Sequence, residues 1–185
     1  MKGNRRTRLG WGVATLLFLS SLVYAAPTPY RVQGRVVYQA KSPIGTFKGK
    51  NEAVQGEILW DPETGTLSGK VCLDLSRWES GEPLRDKHTR AMFEVDRYPE
   101  ACYVITGIEG DPAQGPVTLL GELTLHGVTR PLAIPGMVRF EGETILFEGQ
   151  FETKITDWKM KRPSLMGIKV RDPVRVWVYG EAIPK

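Results

Sequence analysis

Apolar and polar residues alternate with a period of two in eight separate segments between Tyr30 and Val178, a repeat that only strands with one buried face can use. Val32, Gly34, Val36, Tyr38 and Ala40 share one face of the first segment, with Arg31, Gln33, Arg35 and Gln39 between them. Ser42-Pro43-Ile44-Gly45 turns the chain, and Val54, Gly56, Ile58 and Trp60 make the second face. Asp61 to Gly65 is turn chemistry leading straight into a third strand with Leu67, Val71, Leu73 and Leu75 inward. A fourth strand begins at Ala101, Tyr103 and Ile105 and is expected to stop at the Gly- and Pro-rich stretch 107–116. Strands five and six read as a hairpin turning at His126-Gly127, the second broken at Pro131 and Pro135. The seventh carries Ile145, Phe147, Gly149, Phe151 and Ile155, and the last Val170, Val174, Val176 and Val178.

The alternation fails once, between Leu84 and Tyr103. Apolar residues three and four apart in Asp86 to Met92 predict a short helix, capped by Asp86 and ending before Tyr98-Pro99. Eight strands joined mostly by short turns, with one helix between strands three and four, predict an all-β, eight-stranded antiparallel up-and-down barrel. A two-sheet sandwich satisfies the same strand count.

Gly34, Gly56, Gly69, Gly121, Gly149 and Gly180 all fall on the inward register. Glycines there let long strands bend at barrel corners, and they also leave room inside. An eight-stranded barrel is just wide enough to be filled by side chains or to hold one small ligand. The inward neighbours are apolar or aromatic, so a ligand would be largely hydrocarbon.

Residues 1–25 have the layout of a secretory signal peptide. A basic start with Lys2, Arg5, Arg6 and Arg8 precedes the apolar run Trp11 to Val23, and Val23-Tyr24-Ala25 suits cleavage after Ala25. The expected location is periplasmic or secreted, with residues 26–185 as a single barrel domain, long enough to bury roughly 70% of its unfolded surface. Of the 25 Lys and Arg residues four lie in the signal, leaving 21 against 21 Asp and Glu, so the formal charge of +4 belongs to the export segment. A balanced domain gives no support for a nucleic-acid partner. In an oxidising compartment the even count of cysteines favours a disulfide between Cys72 and Cys102, although sequence alone does not bring their Cα atoms within range.

Arg85, Asp86 and His88 are the densest cluster of chemical side chains, and an Asp-His pair can orient a general base. There is no Gly-x-Ser-x-Gly elbow and no third group at a telling spacing, so the expectation is no catalysis and no cofactor. The domain has only His88 and His126, too few for a recognisable zinc set, and no metal is expected. The segment Trp158 to Ile168, mixing Met160, Leu165 and Met166 with Lys159, Lys161 and Arg162, reads either as a flap over a barrel mouth or as a loop whose methionines plug one end. Trp78 and Trp177 are expected on the surface, where they would meet a membrane or partner; a homodimer is left open.

Arg85-Asp86-Lys87-His88 followed by Phe93, Val95, Tyr98 and Pro99, and the run from Gly121 through His126-Gly127 to Pro131, resemble the signatures of the YceI-like family, secreted lipid- or polyisoprenoid-binding proteins with a lipocalin-like barrel. The resemblance spans nearly all of residues 26–185, although Tyr30-Arg31-Val32-Gln33-Gly34 stands where the family commonly has Asp-x-x-His-Ser. It implies a barrel that takes an amphiphilic chain, a polyisoprenoid or fatty acyl derivative, without reacting on it. The expected wall is Tyr38, Leu73, Phe93, Tyr103, Leu123, Phe147, Phe151, Met166 and Val176, with Arg85, His88 and the cations near Met166 meeting a polar head. The competing expectation is an envelope protein acting through its outer surface.

Overall fold

The structure, a computed structural model, describes residues 26–165 and 167–185. The expected signal over 1–25 and the expected wall residue Met166 lie outside these. In chain order the elements are β1 (Thr28–Ser42), β2 (Gly45–Asp61), β3 (Thr66–Asp74), a 3-10 turn (Leu75–Arg77), helix α1 (Pro83–Phe93), β4 (Glu100–Gly110), β5 (Pro116–Leu125), β6 (Val128–Glu141) and β7 (Thr144–Lys154). A second 3-10 turn (Ile155–Trp158), the two-residue strands β8 (Ser164–Leu165) and β9 (Ile168–Lys169), and β10 (Pro173–Pro184) complete the chain.

Eight strands close into one barrel in the order β1, β10, β7, β6, β5, β4, β3, β2, every neighbouring pair antiparallel. Closure removes the sheet edges that a sandwich would leave, and with them the sandwich alternative. Up-and-down order sends successive connections to alternate ends. One end, here the helical end, carries the β1–β2 turn, the α1 connection, the His126-Gly127 turn and residues 155–172. The other, the turn end, carries three tight hairpins and both barrel termini. Each end has its own apolar cluster: Leu75, Trp78, Phe93, Ile155, Trp158 and Met160 are buried at the helical end, and Val32, Ile58, Leu67, Ile105 and Ala182 toward the turn end.

Several expectations are corrected by geometry. α1 starts at Pro83 rather than Asp86, because a proline fits the first turn, where its missing N–H is no loss. Glu82 is the N-cap residue, and Asp86 accepts from Ser80 Oγ at 2.5 Å instead of capping. β4 does not stop at Gly107 but runs to Gly110, with the register shift between Ile105 and Gly107 absorbed as a bulge. The prolines do not break β6 on its β5 side, where Pro131 pairs with Glu122 and Pro135 with Thr118. They act on the other side: a proline in a ladder must turn its nitrogen away from its partner, so both face β7 without a donor, and β6 meets β7 only from Gly136 onward.

The inward glycines are mainly crowded by their neighbours rather than open to the interior. A Cβ at Gly34 would lie 2.1 Å from the Tyr179 carbonyl oxygen, and one at Gly56 would lie 2.2 Å from that of Lys70. Both obstacles are backbone of the neighbouring strand, so these positions serve close strand approach and add no room inside. Only Gly180 faces free space, its nearest neighbour being Phe147 Cβ at 4.0 Å.

Cys72 and Cys102 sit directly opposite on β3 and β4, 4.1 Å apart at Cα, and are bonded. The bridge spans 30 residues and encloses α1, a loop whose closure stabilises the fold by roughly 3.5 kcal/mol on chain-entropy grounds. Asn51, fully buried, borders the register shift in β2: its amide donates to the Asp74 carbonyl at 2.7 Å and its Oδ1 accepts from Ala53 N at 2.9 Å.

Candidate functional site

Inward side chains do not fill the barrel. A cavity of about 610 Å³ runs along its axis, from Pro112 and Phe140 at the turn end to Ile44, Leu84, Arg85 and His88 at the helical end. The volume lies within the ~300–1,000 Å³ of small-molecule sites, and its wall is overwhelmingly apolar.

Of the expected wall residues, all the described ones reach the cavity. Leu73 is buried on β3, and Leu123, Phe151 and Val176 stand half-buried on β5, β7 and β10. Phe147 lies flat against the wall: Cβ atoms at Gly136 and Gly149, which face each other across β6 and β7, would each come within 2.6 Å of its ring. Tyr103 spans three strands. From β4 its hydroxyl, with one proton, meets the Leu132 carbonyl at 2.8 Å and the Leu119 carbonyl at 3.2 Å, and its ring passes over Gly121, where a Cβ would be 2.7 Å away. Burial pushes the Tyr103 phenol up to about 12.

That shift sets a sign for stability in alkali. The unfolded phenol ionises near 10, whereas the folded one keeps its proton to about 12. Stability from Tyr103 is therefore complete below about pH 10 and declines as pH rises toward 12. Urea unfolding midpoints are expected to fall over that window and to fall less in Tyr103→Phe; identical profiles would refute the assignment.

At the helical end Trp78 is buried rather than exposed, wedged edge-on against Tyr38 at 5.1 Å and stacked on Phe93 at 5.9 Å. The Tyr38 hydroxyl is 3.5 Å from Thr89 Oγ1, and burial raises its pKa while Thr89 and Arg85 oppose the shift. Trp158 and Met160, in the segment read as either a flap or an end plug, are core residues with 2% and 6% exposure, as a plug requires, because the chain folds inward through the 3-10 turn before reaching the β8–β9 hairpin. The Trp158 indole donates to Thr153 Oγ1 at 2.9 Å.

Among the described residues Arg85 pairs with no carboxylate. Its guanidinium sits over the Phe47 ring at 5.3 Å and donates to the Ser80 carbonyl at 3.4 Å. His88 is exposed at the rim. With Asp86 held by Ser80, the Asp-His arrangement that would orient a general base is not assembled. Among the described residues one group could gather metal ligands, Cys72, Glu100 and Cys102, but its two sulfurs are joined to each other.

His126 is the residue whose role the sequence concealed. With φ of 52° it forms the β5–β6 turn with Gly127, and its ring reaches sideways into two other elements. Nδ1 donates to the Trp158 carbonyl at 3.1 Å, Nε2 lies 2.9 Å from Glu94 Oε2 just after α1, and the ring meets the Tyr98 ring at a tilt, 4.5 Å between centroids. It clasps three of the four connections of the helical end together. The only advance signal was a histidine at a turn position where asparagine would suffice.

Comparison with known proteins bears on this barrel. A family model for the YceI-like domain matches residues 31–182. The chain is 35% identical over 104 residues to a UPF0312 protein of Pseudomonas putida, covering 54% of this chain and 50% of that one. It is 26% identical over 174 residues to a UPF0312 protein of Photorhabdus laumondii, covering 85% and 88%. The chain thus spans about half the length of the Pseudomonas putida relative. Among solved structures, Burkholderia cenocepacia BcnA superposes with a TM-score of 0.70 at 19% identity, covering 80% of this chain and 95% of that one. A domain from Saccharophagus degradans, described as polyisoprenoid binding and implicated in plant cell wall breakdown, gives 0.62 at 15% identity, covering 86% and 99%. At such identities these likenesses speak for the fold.

Proposed function

The chain belongs to the YceI-like family, and on that footing we propose that it is a non-catalytic carrier or sequestering protein, exported from the cytoplasm, for a chain-like hydrophobic molecule such as a polyisoprenoid or fatty acyl amphiphile. The observation that carries this reading is the 610 Å³ apolar cavity along the barrel axis. An unfilled apolar interior forfeits the dispersion contacts that close packing would supply, so its persistence makes sense when a ligand completes it. The polyisoprenoid-binding description of the Saccharophagus degradans neighbour supports the class of ligand.

Tyr38, Leu73, Phe93, Tyr103, Leu123, Phe147, Phe151 and Val176 hold the hydrocarbon, while Arg85 and His88 at the rim meet the polar head. Binding needs no chemistry from these groups, and the Asp86 carboxylate, the nearest base to His88 in sequence, is already engaged. Mass spectrometry of an organic extract of the natively purified protein tests the proposal. A stoichiometric lipid is expected; protein that is reproducibly lipid-free and fails to take up an apolar fluorophore would overturn it.

A further inference from the structure

The two ends of the barrel differ in charge and in what they expose. At the turn end each hairpin carries two acids: Asp61 and Glu63, Glu109 and Asp111, Glu141 and Glu143. At the helical end the α1 connection is balanced, but residues 155–172 hold five cations, Lys159, Lys161, Arg162, Lys169 and Arg171, against Asp157 and Asp172. Lys41 adds to them, since Arg171 N donates to its carbonyl at 2.7 Å. Lys41, Lys87, Lys161, Lys169 and Arg171 are all exposed, and among the described residues none has a carboxylate within ion-pairing distance. Of the acids near this rim, Asp86 accepts from Ser80 and Asp172 from Thr156, and within residues 155–172 the cations still outnumber Asp157 and Asp172 by five to two.

Within this cationic end stand two exposed aliphatic side chains. Ile44, at the tip of the β1–β2 turn, is 62% exposed, and Leu84, in the first turn of α1, is 56% exposed. Both also line the cavity. The largely apolar cavity wall therefore reaches two projecting tips at a rim that also carries Ser42, Glu82, Arg85 and His88.

We propose that the helical end docks on an anionic lipid surface, with Ile44 and Leu84 entering the acyl boundary and Lys41, Lys87, Lys161, Lys169 and Arg171 facing the head groups. A basic rim alone would suit an acidic protein equally well. The apolar tips favour lipid, because they belong to separate loops and open onto a cavity that hydrocarbon can enter directly. The acidic turn end sets the orientation, since repulsion from the same surface keeps it outward. Docking is separate from cargo: it requires only the barrel, and its failure would leave the carrier reading standing.

Residues 26–185 contain every strand of the barrel and both of its apolar clusters, and suffice for the test. Sedimentation with vesicles of equal parts phosphatidylglycerol and phosphatidylcholine is expected to carry the protein down at low salt, less so as salt rises, and not with phosphatidylcholine alone. Lys161→Gln with Lys169→Gln should weaken binding about 30-fold, and Ile44→Asp with Leu84→Asp should also weaken it, while Glu141→Gln with Glu143→Gln leaves it unchanged. Circular dichroism confirms that each variant keeps its strands. No sedimentation, equal sedimentation with neutral vesicles, indifference to the Lys161 and Lys169 changes, or retention by soluble polyglutamate alone would overturn the proposal; the last would indicate an acidic protein partner.

Discussion

Gly180→Phe is expected to abolish cargo retention while leaving the barrel folded. Gly180 lies on β10 with its missing side chain directed into the cavity, and the nearest atom to a new Cβ is 4.0 Å away, at Phe147. A ring placed there occupies space that the hydrocarbon would need, without displacing backbone. Overpacking in a filled core costs about 1–3 kcal/mol, but here the added atoms meet a void, so the stability change should be small. We expect at least a tenfold loss of affinity for an apolar fluorophore and an extract free of lipid, with an unfolding midpoint close to that of the parent. Unchanged affinity in a folded variant would mean that the axial cavity is not where ligand resides. Gly34 makes the contrast: the same substitution there drives Cβ into the Tyr179 carbonyl oxygen at 2.1 Å, and the barrel itself should fail.

Trp158→Ala should be the most damaging of the tryptophan changes. The residue is 2% exposed, its indole N–H donates to Thr153 Oγ1, and its carbonyl receives the His126 ring proton. Truncating a buried tryptophan costs about 3–5 kcal/mol, which at roughly 3 °C per kcal/mol for a domain of this size lowers Tm by about 12 °C. Trp177→Ala, on a half-buried outer-wall residue with Lys48 5.9 Å from its ring, should cost far less. Calorimetry of the two variants decides between a plug at the helical end and a flap: a flap would make Trp158→Ala nearly silent.

Strand alternation was legible because the inward set repeats every second residue and each barrel strand has one wet face. Thus Tyr38, Leu73, Tyr103, Leu123, Phe147, Phe151 and Val176 could be placed on the wall from register alone. Register says nothing about a residue outside a strand. Trp78, which reads as a surface residue, and Trp158, whose segment suits a flap or a plug equally, lie in connections with polar or charged neighbours, and only the fold turns their segments back over the barrel end. The inward glycines show a related limit. Their register was correct, but a glycine that opens space and one that admits a neighbouring carbonyl have the same one-dimensional pattern.

The sequence by itself determined the class of fold, the number and direction of the strands, the position of the single helix and the apolar character of the interior. These follow from local chemistry: period-two hydrophobicity, turn residues at its interruptions, and inward side chains without charge. Tertiary structure alone decided that the sheet closes, that the prolines of β6 act on β7 rather than β5, that Cys72 meets Cys102, and that His126 ties three connections together. It also decided that the exposed aliphatics of two distant loops stand at one cationic mouth. Each of these depends on which strands become neighbours, and pairing between residues as far apart as Gly34 and Gly180 is set by the free energy of the closed whole.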